Sequence, residues 1–290
     1  MTIFTTCPAV VFTDLDGCLL DHHDYDHLPA KPARSRLKEL GIPLIPVTSK
    51  TAAEIRALDI DFGSVPLISE NGMVIDLPPH LFSSPHDKGG PIFAGKPYNE
   101  ILAFLQTLPA SLRASINGFH DMSAAEIAAV TGLKDVDAVR AKARQASEPF
   151  LWQGDEAGIA ELSALATANG FKLTQGGRFY HLLSEGGKDW AVNWVIDHLK
   201  LIRPELLRTD LIRPDRPFHT IALGDSANDK AMLASVDYGI IIPNPGGSGL
   251  VISDASGRII RAPHVGPRGW NAAIMGLLDE LDLDTLASTK

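Results

Sequence analysis

Short apolar runs that end on polar residues alternate with segments of helical period at the start of the chain. Residues 8–14 (PAVVFTD) form a β-branched run of the kind buried in a parallel sheet. Residues 31–41 (KPARSRLKELG) read as a helix closed by Gly41. A second buried strand follows at 42–49 (IPLIPVTS), then a second helix at 49–58 (SKTAAEIRAL), where Thr51 and Glu54 have capping-box spacing. Residues 65–77 (VPLISENGMVIDL) read as two strands around Glu70-Asn71-Gly72, a hairpin signal of the Asn-Gly kind. Strands alternating with helices predict a parallel sheet covered on both faces.

The pattern changes at 77–98, a Pro-, Gly- and Ser-rich stretch that reads as a loop or boundary. Helical runs follow at 98–108, 123–132, 136–146 and 157–170, with strand-like pieces at 114–121, 148–154, 171–177 and 178–184. The last two predict a hairpin around Gly176-Gly177. The first pattern resumes with a helix at 187–200, a strand at 218–225, a helix at 228–236, a strand at 238–244 and a helix at 269–281. The expected architecture is α/β: a Rossmann-like parallel-sheet core formed by 1–83 and 185–290, with 84–184 inserted as an α/β cap.

Composition narrows the partners. An apolar fraction of 45% with 21% charged residues is that of a globular protein. The net charge of −9 argues against a broad nucleic-acid or anionic-membrane surface, which needs clustered Lys and Arg. It leaves room for a small anionic substrate. Cys7 and Cys18 make no disulfide framework and no zinc spacing, which favours a reducing compartment. With no leader-like N-terminus and no apolar run near the ~20 residues of a membrane helix, the expectation is a cytoplasmic protein.

Open parallel sheets place their sites outside the carboxyl ends of the strands. Three predicted strand ends carry reactive polar residues: Asp14 and Asp16, Thr48 and Ser49, and Asp225. Lys188 stands at the start of the helix that resumes the first pattern. Taken singly, an Asp after a strand is as readily a turn or helix-cap residue.

The set as a whole resembles the haloacid dehalogenase-like (HAD) phosphatase superfamily. The sequence carries "DLDG" after an apolar strand, Thr or Ser after the second, an isolated Lys and "GDSANDKAML", in that order. Within the superfamily, "TSKTAAEI", "SENG", "GGRFYHLL" and "GKDWAVNW" resemble the mannosyl-3-phosphoglycerate phosphatase family, and this similarity runs through the insert.

The resemblance implies a residue-by-residue chemistry. Asp14 is the nucleophile that takes the phosphoryl group. Asp16 protonates the leaving alkoxide and then deprotonates the water. Mg²⁺ is the implied cofactor, held by the side chains of Asp14 and Asp225 and the backbone carbonyl of Asp16. Asp229 supports a metal-bound water or orients Lys188, with Asn228 beside it. Lys188 neutralises the phosphoryl oxygens. Thr48, with backbone N–H groups of Ser49 and Lys50, holds those same oxygens. Cys18 stands where the family has Thr or Val and reads as packing.

The implied substrate is mannosyl-3-phosphoglycerate or its glucosyl analogue, a sugar-phosphate ester that the cap would select. Arg178 is the expected reader of the glycerate carboxylate, with Gln175 and Gly177 nearby; its alternative is a surface arginine at a hairpin. Glu70 and Asn71 either reach the sugar or only make their turn. Phe179, His181 and Leu183 share one face of a strand and read mainly as packing. Competing readings are another sugar phosphatase or phosphomutase, a noncatalytic sugar-phosphate binder, and a transition-metal module built on 21–27 (DHHDYDH). For that segment the expectation is a polar flap beside the cap.

Overall fold

The structure, a computed structural model, describes residues 9–78, 90–176, 178–202, 218–245 and 249–283. Strand β1 (Ala9–Thr13) is buried at every position, as a strand covered on both faces must be. Helix α1 (Lys31–Glu39) buries Ala33 and Leu37, and the chain turns off it through Gly41 at φ 69°. β2 (Leu44–Pro46) leads into α2 (Ala52–Arg56), whose start carries the expected capping box. Thr51 Oγ1 accepts from Glu54 N at 3.2 Å, and Glu54 Oε2 accepts from Thr51 N at 2.8 Å. β3 (Leu67–Ser69) and β4 (Val74–Asp76) pair antiparallel across a 3-10 turn, Glu70–Gly72, and β5 (Ile92–Phe93) adds to β4.

The next segment contributes α3 (Tyr98–Thr107), α4 (Ala110–Ala114), β6 (Ile116–Gly118), α5 (Ala124–Thr131), α6 (Asp135–Lys142), β7 (Ser147–Trp152), α7 (Glu156–Ala168), β8 (Phe171–Gly176) and β9 (Phe179–Ser184). The chain then returns through α8 (Lys188–Ile202), β10 (His219–Gly224), α9 (Lys230–Ala234), β11 (Tyr238–Ile241), β12 (Arg258–Arg261) and α10 (Gly266–Glu280).

The core sheet is wholly parallel, in the order β12-β11-β10-β1-β2. One face packs against α1 and α10 through Leu37, Trp270, Ile274 and Leu277; the other packs against α8 and α9 through Val192, Val195, Met232 and Leu233. This is the α/β architecture expected from the alternation. The second sheet is antiparallel, β6-β7-β9-β8, with its own core of Ile101, Phe104, Phe150, Leu162 and Leu182. Ile92 and Phe93 fall inside the 84–184 segment yet pair with β4 rather than with this second sheet.

Pattern reasoning did not find α4, β5 or β12. β5 is two residues held by backbone pairing, and α4 is five residues with a single buried position, Leu112. β12 (RIIR) is an edge strand whose terminal arginines are exposed, so it lacks the apolar run that marks its neighbours.

Candidate active site

β1 and β10 run side by side, with Thr13 in register with Leu223. Their carboxyl ends therefore deliver Asp14 and Asp225 to one edge of the sheet. Asp14 is 6% exposed and Asp225 8%. One carboxylate oxygen from each of Asp14, Asp225 and Asp229 falls within 4.8 Å of the others. α8 begins at the same edge and points Lys188 into the cluster. Its Nζ donates to Asp14 Oδ1 at 2.8 Å and to Asp229 Oδ1 at 2.6 Å.

The titration behaviour follows from this crowding. Burial, then the charge of Asp229, pushes the Asp14 carboxyl up, and Lys188 only partly offsets the rise. Burial and Asp229 also push Asp225 up, to about 6. Burial works against the charge on Lys188, but Asp14 and Asp229 outweigh it and hold the ammonium protonated. Three buried carboxylates against one ammonium leave an excess of negative charge, the condition under which an oxygen-ligand site takes a hard cation.

Asp229 is committed to the protein itself. Its Oδ2 accepts from the backbone N–H groups of Asp225 and Ser226, both at 3.0 Å, while Oδ1 holds Lys188. Asn228 sits next to the acids: its Oδ1 accepts from Ser226 Oγ at 2.6 Å, and its Nδ2 donates to Asn71 Oδ1 at 3.0 Å. Asn244, which the sequence reading missed, donates to Asp225 Oδ2 at 2.7 Å from the loop after β11. Gly17 is required here. It sits at φ 74°, and a Cβ would fall 2.7 Å from Asp225 Oδ2.

Thr48 is fully buried at the end of the strand beside β1, and its Oγ1 accepts from Lys50 N at 3.2 Å. Lys50 carries its Nζ to within 2.9 Å of Asp16 Oδ1 and 5.0 Å from the Tyr25 ring centroid. Burial opposes its charge, but Asp16 and Glu54 raise its pKa. β2 pairs with β1, with Pro46 in register with Thr13, so Thr48 stands at the same edge of the sheet as Asp14, and Lys50 is paired there with Asp16. Ser49 offers its backbone carbonyl to the insert: Arg144 Nη1 donates to Ser49 O at 2.8 Å.

Glu70, read from the sequence as either reaching the sugar or only making its turn, ties that turn to the insert. Held at φ 52° and 1% exposed, it accepts from Gln145 N at 2.8 Å, Ala146 N at 3.1 Å and Ser147 Oγ at 2.7 Å. Both oxygens are spent on bracing the insert against the core. Gln175 is likewise not brought to the site. Its register with Tyr180 places it on the face that packs on the cap helices. Arg178 is exposed at the hairpin end, its guanidinium carbon 5.8 Å from the Phe179 ring centroid. Gly177 lies outside the described residues.

The segment 21–27 folds as successive turns. Asp21 Oδ1 accepts from His23 N at 2.8 Å, Asp24 Oδ1 from Asp26 N at 2.9 Å, and Asp26 Oδ1 from Leu28 N at 2.9 Å. Arg34 Nη2 donates to His27 Nδ1 at 2.9 Å. Among the described residues, none of these side chains joins a group of three metal-ligating atoms, whereas Asp14, Asp225 and Asp229 do. Cys18 is buried in the core cluster, as its packing reading expected. No helix among the described residues is long and apolar enough to cross a membrane.

A parallel sheet with a buried aspartate after its first strand, a lysine-bridged acidic cluster and an inserted α/β layer is a fold found in hydrolases of the HAD superfamily. The fold is shared with a phosphatase of the haloalkanoate (HAD) superfamily from Bacteroides thetaiotaomicron, at TM-score 0.62 and 16% identity over 94% of this chain and 95% of that one. A haloacid dehalogenase-like hydrolase from Bacteroides thetaiotaomicron also shares it, at TM-score 0.62 and 13% identity over 94% and 99%. The chain is 36% identical over 280 residues to the glucosyl-3-phosphoglycerate/mannosyl-3-phosphoglycerate phosphatase of Persephonella marina, covering 94% of this chain and 98% of that protein. It belongs to that phosphatase family and is a phosphoric monoester hydrolase. No family model matches the chain.

Proposed function

We propose that this chain hydrolyses glucosyl- or mannosyl-3-phosphoglycerate to the glycosylglycerate and phosphate, through an aspartyl phosphate on Asp14. The observation that carries this reading is the buried Asp14–Lys188–Asp229 arrangement, in a chain so similar to an enzyme of that name. Asp14, Asp225 and the backbone carbonyl of Asp16 would hold Mg²⁺, an all-oxygen set suited to that ion. When bound, the ion supplies positive charge against the phosphoryl oxygens.

The chain's own residues supply the remaining steps. Lys188 holds Asp14 Oδ1, which leaves Oδ2 to attack phosphorus. As the bond from phosphorus to the glycerate oxygen breaks, Asp16 delivers a proton to that oxygen. Asp16 then takes a proton from water as the water oxygen attacks the phosphorus of the aspartyl phosphate. Phosphate leaves and the Asp14 carboxylate is regenerated. Thr48, whose Oγ1 is held by Lys50 N, and the N–H of Ser49 bind phosphoryl oxygens beside Lys188. Arg178 and Asn71 are assigned to the part of the substrate beyond the phosphate, on the side where the second sheet covers the core.

The reading is tested by measuring phosphate release from both glycosyl-3-phosphoglycerates with Mg²⁺ and after chelation. Chelator-sensitive turnover is expected. Failure to release phosphate from either ester would remove the assignment.

A further inference from the structure

Away from the groups that handle phosphate, one buried ring nitrogen has no hydrogen-bond partner among the described residues. His181 is 8% exposed, and its Nδ1 has none. In folded proteins such a buried polar atom is normally completed by protein, water or ligand.

The strand alternation says which way the ring faces. Along β9, Tyr180 and Leu182 pack into the cap's own core, while Leu183 packs against Met73, Val74 and Ala146 at the boundary with the catalytic domain. His181, two residues before Leu183, shares that boundary face. Its register partners are Thr174 on β8 and Pro149 on β7. Thr174 in turn lines a cleft of ≈ 480 Å³ together with Lys172, Asn71, Asn228 and Lys188. His181 does not itself line that cleft; it stands beside Thr174 on the same face of the cap sheet, one strand in from the cleft wall.

The ring's charge state indicates what it can read. Burial, reinforced by the Arg144 and Lys188 cations, pushes the His181 pKa down to about 3. A neutral imidazole offers one N–H and one lone pair, which complements a hydroxyl group. Anionic parts of a ligand are better met by Lys172, Arg144 and Lys188.

We propose that His181 is a specificity-determining residue that hydrogen-bonds a hydroxyl of the glycosyl ring, reaching it from the core-facing side of β9. This rests on the glycosyl-3-phosphoglycerate reading above. His181 takes no part in the phosphoryl chemistry, and its effect is confined to substrates that carry the ring.

The test compares wild type, H181F and H181N on the preferred glycosyl-3-phosphoglycerate and on p-nitrophenyl phosphate, which has no sugar. H181F keeps a planar aromatic ring, somewhat larger, and removes both nitrogens; H181N restores a polar group near the position of Nδ1. H181F is expected to lower kcat/KM for the glycosyl ester about tenfold, the worth of one hydrogen bond, mainly through KM. Its hydrolysis of p-nitrophenyl phosphate stays within about twofold of wild type, and H181N recovers part of the loss on the ester. Should H181F fail to fold, H181L carries the same comparison. Equal losses on both substrates, or no loss on either, overturn the assignment. Wild-type enzyme that cleaves p-nitrophenyl phosphate but neither glycosyl ester overturns the substrate reading, and this assignment falls with it.

Discussion

The Asp229 carboxylate lies 2.6 Å from Lys188 Nζ, with both groups buried. Its other oxygen holds the backbone of Asp225 and Ser226. One side chain thus sets both the ammonium that faces Asp14 and the loop that carries Asp225.

Asp229→Asn is expected to fail at both tasks. Hydrogen-bond donors surround the carboxylate on either side, so an amide must turn its NH₂ toward one of them. Breaking a buried ion pair costs about 3–5 kcal/mol, enough to lower kcat on p-nitrophenyl phosphate by about a hundredfold and to reduce the melting temperature. A kcat within about threefold of wild type would show that Lys188 is held without Asp229.

Glu70→Gln separates bracing from substrate contact. The carboxylate accepts two backbone N–H groups and one hydroxyl from 145–147, so loss of its charge should cost about 1.5–3 kcal/mol in chemical denaturation. KM for glycosyl-3-phosphoglycerate should change little. Unchanged stability with a raised KM would return Glu70 to the substrate-binding role suggested by its place in the sequence.

The Glu70 arrangement also marks where sequence reading stops. The strand ends that deliver Asp14 and Asp225, the capping box at Thr51 and the position of Lys188 at a helix start are local patterns, each visible within about ten residues. The partners of Glu70 are more than seventy positions away and include backbone groups, which carry no residue-type signal. Asn244 is hidden for the same reason: it lies in a loop and acts on Asp225 only because β10 and β11 are adjacent. In the insert, Arg178 stood out as a cation at a turn, while His181 read as packing on an alternating strand. Only the register of β8 and β9 shows that Gln175 faces the cap helices and His181 the core.

A pH-dependent stability term is built into the cap. Glu148 accepts from Tyr98 Oη and from His120 N at 2.8 Å, yet burial outweighs these bonds and raises its pKa from 4.5 to about 7. The folded state therefore keeps a proton that the unfolded chain releases near pH 4.5. Its stabilising contribution is complete below that pH and is lost as pH rises to about 7, with an upper bound of about 3 kcal/mol. Glu148→Gln is permanently neutral, and Tyr98 Oη can accept from its NH₂. Its stability relative to wild type should therefore improve between pH 4.5 and 7 and then level off. A difference that stays constant across that window would mean Glu148 is ionised in the fold.

The most direct test of the account is phosphate release by wild type and Asp14→Asn on a panel of both glycosyl-3-phosphoglycerates and common hexose phosphates, with Mg²⁺. Wild type should turn over a glycosyl-3-phosphoglycerate with the highest kcat/KM of the panel. Asp14→Asn should melt as a folded protein and release no phosphate. Preference for a hexose phosphate would contradict the substrate, and turnover by Asp14→Asn would contradict the nucleophile on which the mechanism stands.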